Sequence, residues 1–438
     1  MRRYAPAAGG WPAARAYAAP VPHIVLDRTT ALGIATILTA CILLQRFTIP
    51  GTAVPACFAI SYITFLFLLM LGRFTVSPML AVMFLGTTGL LALSMAISME
   101  MASIPSFAYL VTIYALYAFK LRYREGSLPY ALDFYQKLMA LCAIMGIVQF
   151  FAQFVLPFEL VFPIDGFVPE AFRYTDQYNV IIPLTYESPI MKSNGIVFLE
   201  PSFFSQFLGL AIIIELTGRQ RTIHLALYGV ALLVSYSGTG MSMVALFLPW
   251  IFIQRGNLQL LALGFVAAVA LLLGGEALNL NLLADRFGEF GAEQSSGFAR
   301  FVSPYFLIRD FLIEDPSALL FGMGAGSIEV VVSRAYARAY LAHDPAWIKV
   351  MFEYGLIAAI CLLSYITIAL RSGTRHGLLA WAILYLFLFL GGYLLNGMMH
   401  AVFVALLAWH NDPRGLYATP PETRRFYGGT APGRPTRR

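Results

Sequence analysis

Charged residues are scarce in this chain. Only 12% of its 438 residues are Asp, Glu, Lys or Arg, whereas 59% are hydrophobic, and the mean hydropathy is +0.73. A soluble domain carries about 25% charged residues, so this composition excludes an ordinary soluble fold. We therefore expect a polytopic membrane protein.

Cysteine and nucleotide-binding motifs are also scarce. The four cysteines, Cys41, Cys57, Cys142 and Cys361, all fall within or at the edge of apolar segments. This placement favours packing over disulfides or metal ligation. The chain has no P-loop, no D-x-D motif and no soluble α/β pattern, so nothing indicates a nucleotide substrate.

Long apolar runs fill most of the chain instead. Twelve segments are candidates for crossing a bilayer, whose hydrocarbon core of about 30 Å needs roughly 20 apolar residues per helix. They cover 30–48, 53–71, 79–98, 104–119, 138–157, 203–217, 222–236, 239–254, 258–275, 350–370, 377–395 and 397–409. Backbone polar groups in lipid must be satisfied within the segment, so we expect an all-α fold with about 12 transmembrane helices. This domain would span residues 30–410, between disordered cytoplasmic tails at 1–29 and 411–438.

The distribution of cations indicates the orientation. If the N-terminus is cytoplasmic, the outer short loops carry only Arg46, and the inner ones carry Arg73, Lys120, Arg122, Arg124, Lys137, Arg219, Arg221, Arg255, Arg371 and Arg375. Short loops rich in Lys and Arg stay inside, so both termini are predicted to be cytoplasmic. The net charge of +6 then belongs to the inner leaflet and does not indicate nucleic-acid binding.

Two long polar loops, about 158–202 and 276–349, would face outward. Cations there oppose the topological bias, and guanidinium groups match phosphate oxygens, so we expect some of them to bind an anionic head group. The candidates are Arg173, Lys192, Arg286, Arg300, Arg309, Arg334, Arg338 and Lys349. For each, the alternative is an ion pair with a neighbouring acid on a solvated surface.

Two stretches of the second loop suggest local structure. "SGFARFVSPYFLIRDFL" (296–312) places Phe301, Tyr305, Ile308 and Leu312 at helical spacing, which predicts an amphipathic helix along the membrane interface. "FGMGAGS" (321–327) is glycine-rich but follows no βαβ unit, so it is interpreted as a compact turn.

Two further stretches combine small residues with helix starts. "MKSNGIVFLEPSFFSQF" (191–207) contains Lys192 and Glu200 before Pro201 and Ser202, which suit a helix N-terminus. "SYSGTGMS" (235–242) predicts a tight outer turn that opens the next helix. Both could contact a substrate, and both could be ordinary helix caps.

These motifs, in this order, resemble the O-antigen ligase and polymerase family, which are C-type membrane glycosyltransferases of bacterial envelopes. The resemblance rests on K-x-x-G…E-P-S-F at 192–203, S-G-T-G at 237–240, F-A-R at 298–300, F-G-M-G-A-G at 321–326 and H-D…F-E-Y-G-L-I at 343–357. It implies transfer of a glycan from a polyprenyl diphosphate carrier to an acceptor sugar hydroxyl, on the periplasmic face of the inner membrane. It also implies no metal or other cofactor, and export or chain-length proteins among the partners.

The resemblance assigns roles to individual residues. His343 matches the family histidine that acts on the acceptor glycan. Asp344 beside it and Glu353 of the helix-end motif are the other candidate catalytic residues. The substrate-binding residues would be Arg300, Arg286, Lys192, Arg173 and Glu200. Lys192 stands where the family often has arginine, and Asp344 where asparagine is commoner.

Several alternatives stay open at this point. His343, Asp344 and Pro345 could simply cap the approach to a helix, and His400 is a competing histidine. A ligase acting on the lipid A core, a flippase of lipid-linked sugars and a non-catalytic envelope subunit are alternatives to a polymerase. A flippase would favour charged residues inside the spans and broken helices in matching halves.

Overall fold

The computed structural model describes residues 26–52, 54–98, 102–122, 126–174, 178–185, 188–254, 296–336, 344–374 and 377–411. His343, Arg286, Arg338 and the apolar segment 258–275 lie outside these ranges. The described part is mostly helical with one two-stranded ribbon, which confirms the expected all-α class.

The first half of the chain consists mainly of apolar helices joined by turns. Its helices are α1 (Arg28–Leu43), α2 (Ala56–Met70), α3 (Pro78–Ile97), α4 (Ile104–Ala115), α5 (Ser127–Ala152), α6 (Phe158–Val161), α7 (Pro163–Phe167), α8 (Pro201–Thr217), α9 (Thr222–Val234) and α10 (Gly238–Gln254). Strands β1 (Phe74–Val76) and β2 (Phe119–Leu121) pair antiparallel with Thr75 opposite Lys120.

The second half begins with four short helices of the long outer loop and continues with longer apolar ones. They are α11 (Ser296–Phe301), α12 (Ser303–Leu307), α13 (Pro316–Phe321), α14 (Ser327–Tyr336), α15 (Ala346–Arg371), α16 (Gly377–Phe389) and α17 (Gly397–Phe403). Residues Val404–Ala408 continue α17 as a π-helical turn.

Three of these helices, α3, α5 and α15, are long and apolar enough to cross a membrane, and the other apolar segments are 10–17 residues long. Each of the eleven predicted apolar segments within the described part coincides with a helix. The number of membrane crossings stays a prediction.

Helix starts follow local chemistry. The Asp27 side chain accepts a hydrogen bond from the Thr30 amide at 3.0 Å, and the Asn396 side chain accepts one from Met399 at 3.0 Å. Both satisfy amide groups that a first helical turn leaves without a partner. Helix α8 begins at Pro201, as predicted. Proline is tolerated there because the amide of a first-turn residue has no helical acceptor, so its absence costs no hydrogen bond.

One end of the helix bundle gathers the predicted inner loops; we call it the basic end and define it by Arg73, Lys120, Arg219 and Arg371. Arg73 lies 3.5 Å from Asp27, at the start of α1. The Lys120 ammonium donates to Ser372 Oγ at 2.7 Å and to the Ala408 carbonyl at 2.5 Å. Lys120 therefore provides donors to a hydroxyl and a carbonyl where two apolar segments end.

The opposite end gathers the predicted outer loops, and we call it the loop end. The Ser103 amide donates to the Ala325 carbonyl at 2.8 Å, and the Ser193 amide donates to the Val234 carbonyl at 3.2 Å. In each contact, the two segments belong to loops that the predicted alternation of membrane crossings puts on the same side. The packing therefore agrees with the predicted alternation of the helices.

The predicted interfacial helix at 296–312 is not continuous. It breaks between α11 and α12 and ends in a π-helical turn at Ile308–Leu312. Leu312 is buried, whereas Phe301 and Tyr305 are 41% and 63% exposed, so the predicted position of these side chains along the membrane interface stays a prediction. The break lies just before Pro304, which lacks the amide donor that a continuous helix needs there.

Candidate functional site

A break in helix α15 shapes the loop end. Gly355 has a φ of 78° inside this otherwise regular helix, a conformation that glycine adopts without steric cost. The break leaves the carbonyls of Phe352 and Glu353 without helical partners. They accept hydrogen bonds from the amides of Met323 and Gly324, both at 2.9 Å.

Those amides belong to the glycine loop, which we define as residues 321–326. A side-chain carbon on Gly322 would lie 2.5 Å from the Glu353 carbonyl, so only glycine fits there. On the other side, Ser98 Oγ donates to the Gly322 carbonyl at 2.7 Å, and Ser94 Oγ donates to the Phe321 carbonyl. The predicted compact turn is therefore clamped between α3 and the broken helix α15.

Four charged side chains meet just before this break; we call them the acidic cluster: Glu329, Asp344, Lys349 and Glu353. The Lys349 ammonium lies 2.8 Å from Glu329 and 3.7 Å from Glu353. The Glu353 side chain is fully buried and that of Lys349 is 9% exposed. Burying a carboxylate costs several kcal/mol without a cation, and Lys349 supplies a cation next to Glu353.

Asp344 completes the acidic cluster at its outer edge. Burial raises the pKa of the Asp344 carboxyl, and the positive charge of Lys349 opposes that rise. Its Oδ1 atom is buried and has no hydrogen-bond partner among the described residues. His343, the residue before it, lies outside the described residues, so its predicted contact with Asp344 stays a prediction.

The K-x-x-G motif holds its loop against α5. Ser193 Oγ donates to Gln149 Oε1 at 2.9 Å, and the Gln149 amide donates to Asn194 Oδ1 at 2.9 Å. Asn194 also donates to the Val180 carbonyl at 3.1 Å. Because these buried polar groups satisfy one another, the motif fixes Lys192, whose side chain is 8% exposed, in one position.

The E-P-S-F and S-G-T-G motifs pack directly against each other, since Thr239 Oγ1 donates to the Ser202 carbonyl at 3.3 Å. The Gly240 amide donates to Ser205 Oγ at 3.1 Å, and Thr239 Oγ1 lies 3.0 Å from the same hydroxyl. A side-chain carbon on Gly240 would lie 2.0 Å from the Ser205 carbonyl oxygen. These small residues therefore bring α8 and α10 into close contact, which favours the interpretation as packing.

The Glu200 carboxylate, at the start of α8, accepts two hydrogen bonds. One carboxylate oxygen accepts a hydrogen bond from the Asn179 amide at 3.0 Å, and the other accepts one from Ser202 Oγ at 2.7 Å. Glu200 and Arg300 are each within electrostatic range of the Tyr393 hydroxyl. Arg300 is partly buried at the end of α11.

Arg173 belongs to a charged triad that sequence reasoning missed. Its Nη1 atom lies 3.6 Å from Asp165 Oδ1, which also pairs with Arg46. The Arg46 side chain is 1% exposed and donates to the Ile196 carbonyl at 3.4 Å. The signal was present, since Arg46 is the single cation of the predicted outer short loops.

Two other candidates have structural partners. Arg309 Nε lies 2.5 Å from Asp310 on the surface, as the ion-pair alternative expects. His400 is fully buried; its Nδ1 lies 2.8 Å from the Tyr117 hydroxyl and its Nε2 lies 2.9 Å from the Tyr393 carbonyl. Nε2 must carry the proton to donate to a carbonyl, so both ring nitrogens are occupied, and His400 is a weaker candidate base than His343.

The structure thus brings Asp344 and Glu353 together in the acidic cluster, whereas Arg173 lies in a separate triad. All of them lie at the loop end. Among the residues that the structure describes, no group of three or more His, Cys, Asp or Glu side chains is arranged to hold a metal ion.

Comparison with known proteins gives one match. A family model described as WcaD colanic acid polymerase matches residues 28–412. The match includes every described helix and all of the candidate site residues. No curated protein and no solved structure matches the chain.

Proposed function

Since the chain belongs to the WcaD colanic acid polymerase family, we propose that it polymerises the repeat units of a surface polysaccharide. The donor is a glycan on a polyprenyl diphosphate carrier, and the acceptor is a sugar hydroxyl of another lipid-linked unit. The reaction takes place at the periplasmic face of a bacterial inner membrane. The observation that carries this proposal is the acidic cluster at the loop end, whose Asp344 directly follows His343 in the sequence.

The chemistry requires a base for the acceptor. A sugar hydroxyl is a poor nucleophile, and a positioned base contributes about 10²–10⁴-fold to such a reaction. We assign this role to His343, whose ordinary pKa of about 6.5 leaves it able to accept a proton near neutral pH. The hydroxyl oxygen attacks the anomeric carbon of the donor while its proton passes to His343.

The leaving group is the lipid diphosphate. The electron pair of the broken carbon–oxygen bond stays on the diphosphate, whose negative charge needs cations nearby. Arg300, Arg286 and Lys192 are the proposed partners, and Arg173 is the next candidate. Their guanidinium and ammonium groups would form charge-assisted hydrogen bonds to phosphate oxygens.

Glu353 has a different role from the one its motif suggests. Its side chain is fully buried behind Lys349, so it does not contact the glycan in this conformation. We assign it to positioning: Glu353 holds Lys349, and Lys349 sets the charge around Asp344. Asp344, at the edge of the cluster, is then able to orient the imidazole of its neighbour His343.

The experiment that tests this proposal uses purified protein and a lipid-linked repeat unit in detergent. Wild-type protein should form glycan ladders without any lipid A core. His343→Ala should lose about 10²–10⁴-fold in rate while keeping its thermal stability. Asp344→Asn keeps the size of the side chain, so it should retain much of the activity.

His224→Ala is the matched control, because His224 is half-buried at the basic end beside Glu215. It should leave the ladders unchanged. Full-length ladders from His343→Ala would refute the assigned base. Products that appear only with lipid A core would indicate a ligase, and transport without bond formation would indicate a flippase.

A further inference from the structure

The outer end of α5 carries an exposed apolar surface that the proposed function does not use. Large apolar side chains along α5 are exposed at helical spacing: Leu141, Ile144, Val148 and Phe151. Helix α5 is one of the three helices able to cross a membrane, so this stripe faces lipid. The stripe continues past the end of the helix.

The segment 154–167, which we call the apolar hairpin, contains that continuation. Its exposed residues are Phe154, Val155, Leu156, Phe158, Leu160 and Phe167. Val155 is 82% exposed and Phe167 is 65% exposed. An exposed apolar surface of this density on a water-soluble loop would be a binding or aggregation site.

The hairpin is held in place by its opposite face. Val161, Phe162 and Ile164 are buried, and the Gln149 side chain donates to the Val161 carbonyl at 3.3 Å. Gly166 allows close contact between α6 and α7, since an added side-chain carbon would lie 2.9 Å from Glu159. The exposed side chains therefore point outward from a fixed structure.

The length of α5 sets the depth of the hairpin. Asp133 and Lys137, which pair at the basic end, mark the polar start of the span. From Leu138 to Ala152 the helix rises about 22 Å at 1.5 Å per residue, and even from Phe134 it rises only about 28 Å. A hydrocarbon core is about 30 Å thick, and helix tilt shortens the reach further.

From these observations we infer that the apolar hairpin inserts into the bilayer leaflet at the loop end, where lipid acyl chains cover its exposed face. The inference requires only that α5 crosses the membrane and is independent of the proposed reaction. It places Asp165, on the buried side of α7, near head-group depth together with Arg46 and Arg173.

The test measures what surrounds single nitroxide labels on the full chain in phospholipid vesicles. Labels are attached in Leu160→Cys and Phe167→Cys, both exposed positions that a label fills without disturbing the core. Cys361→Ala removes the one native cysteine that is not buried. Val148→Cys reports the lipid-facing stripe of α5, and Glu170→Cys reports an exposed polar site three residues beyond the end of the hairpin at Phe167.

Collisions with oxygen report lipid, and collisions with a water-soluble nickel chelate report water. Labels at Leu160 and Phe167 should resemble the label at Val148, with high oxygen and low nickel accessibility. Nickel accessibility equal to that at Glu170 would overturn the inference by placing the hairpin in water. Low accessibility to both reagents would overturn it as well, because a second protein surface would then cover the hairpin.

Discussion

At the scale of single residues, Lys349 is the cation of the acidic cluster and is itself largely buried. It lies between the exposed Glu329 and the fully buried Glu353. When one partner of a buried ion pair is removed, the remaining charge has neither water nor a counter-ion. The ion pair is therefore more important for tolerating Glu353 than for adding net stability.

Lys349→Met should accordingly destabilise the protein by about 3–5 kcal/mol, measured by thermal unfolding in detergent. Combining it with Glu353→Gln should restore most of that loss, because the second change removes the uncompensated charge. Lys137→Met is the control: its side chain is 68% exposed and pairs with Asp133 at 3.1 Å, so the cost should be about 0–1 kcal/mol. Equal costs for the two single variants would contradict this account.

The sequence could single out Asp344 and Glu353 as candidates because their motifs resemble those of a known family, and the family match confirms the family. It could not identify the Lys349–Glu329 pair, whose two residues are 20 positions apart on different helices. The partner of Arg46 is 119 positions away, so only the folded chain reveals the triad. Long-range pairs of this kind depend on packing that no local pattern records.

At the scale of elements, the sequence predicted helix starts better than helix breaks. Pro201 and the S-G-T-G turn marked the beginnings of α8 and α10 correctly. The break at Gly355 was not predicted, because glycine inside an apolar run is compatible with an unbroken helix. Its cause is tertiary, since the glycine loop supplies the hydrogen bonds that the helix loses there.

Gly355→Ala tests the close contact between Gly355 and the Leu320 carbonyl. The added carbon would lie 2.3 Å from the Leu320 carbonyl oxygen. The backbone conformation, with φ 78° and ψ 171°, adds a cost of about 1–3 kcal/mol for any residue other than glycine. Gly51→Ala is a matched control, because Gly51 also has a φ of 78° but has no atom within 4 Å of the added carbon. Thermal unfolding should show a larger loss of stability for Gly355→Ala than for Gly51→Ala. Equal losses would mean that the backbone at Leu320 shifts at little cost to accommodate the added carbon.

At the scale of the whole molecule, the two ends of the bundle differ in chemistry. The basic end holds Lys120 and Arg73 in short, tightly paired turns. The loop end holds the acidic cluster, the glycine loop and the motifs that resemble the family. The grouping of the loops at two ends agrees with the alternating membrane crossings predicted from the apolar runs. Contacts such as Ser103–Ala325 join loops that are predicted to lie on the same side.

The absolute orientation is a prediction that reporter fusions test. A periplasmic reporter enzyme should be active when it is fused at Asp176 or at Gln294, whereas a fusion after Asn411 should report the cytoplasm. The physical reason is the excess of Lys and Arg in the predicted inner short loops, ten against one. A cytoplasmic signal at Asp176 or Gln294 would place the acidic cluster on the wrong side for periplasmic chemistry.

The contacts of Lys120 impose an order on biosynthesis. The carbonyl of Ala408, which the ammonium group contacts, lies 288 residues further along the chain. At about 5–20 residues per second, a ribosome needs on the order of 15 s to 1 min to produce it after Lys120. The β ribbon can pair before then, but the Lys120 ammonium meets the Ala408 carbonyl only after nearly the whole chain has been made, so the basic end completes its hydrogen bonds late in synthesis.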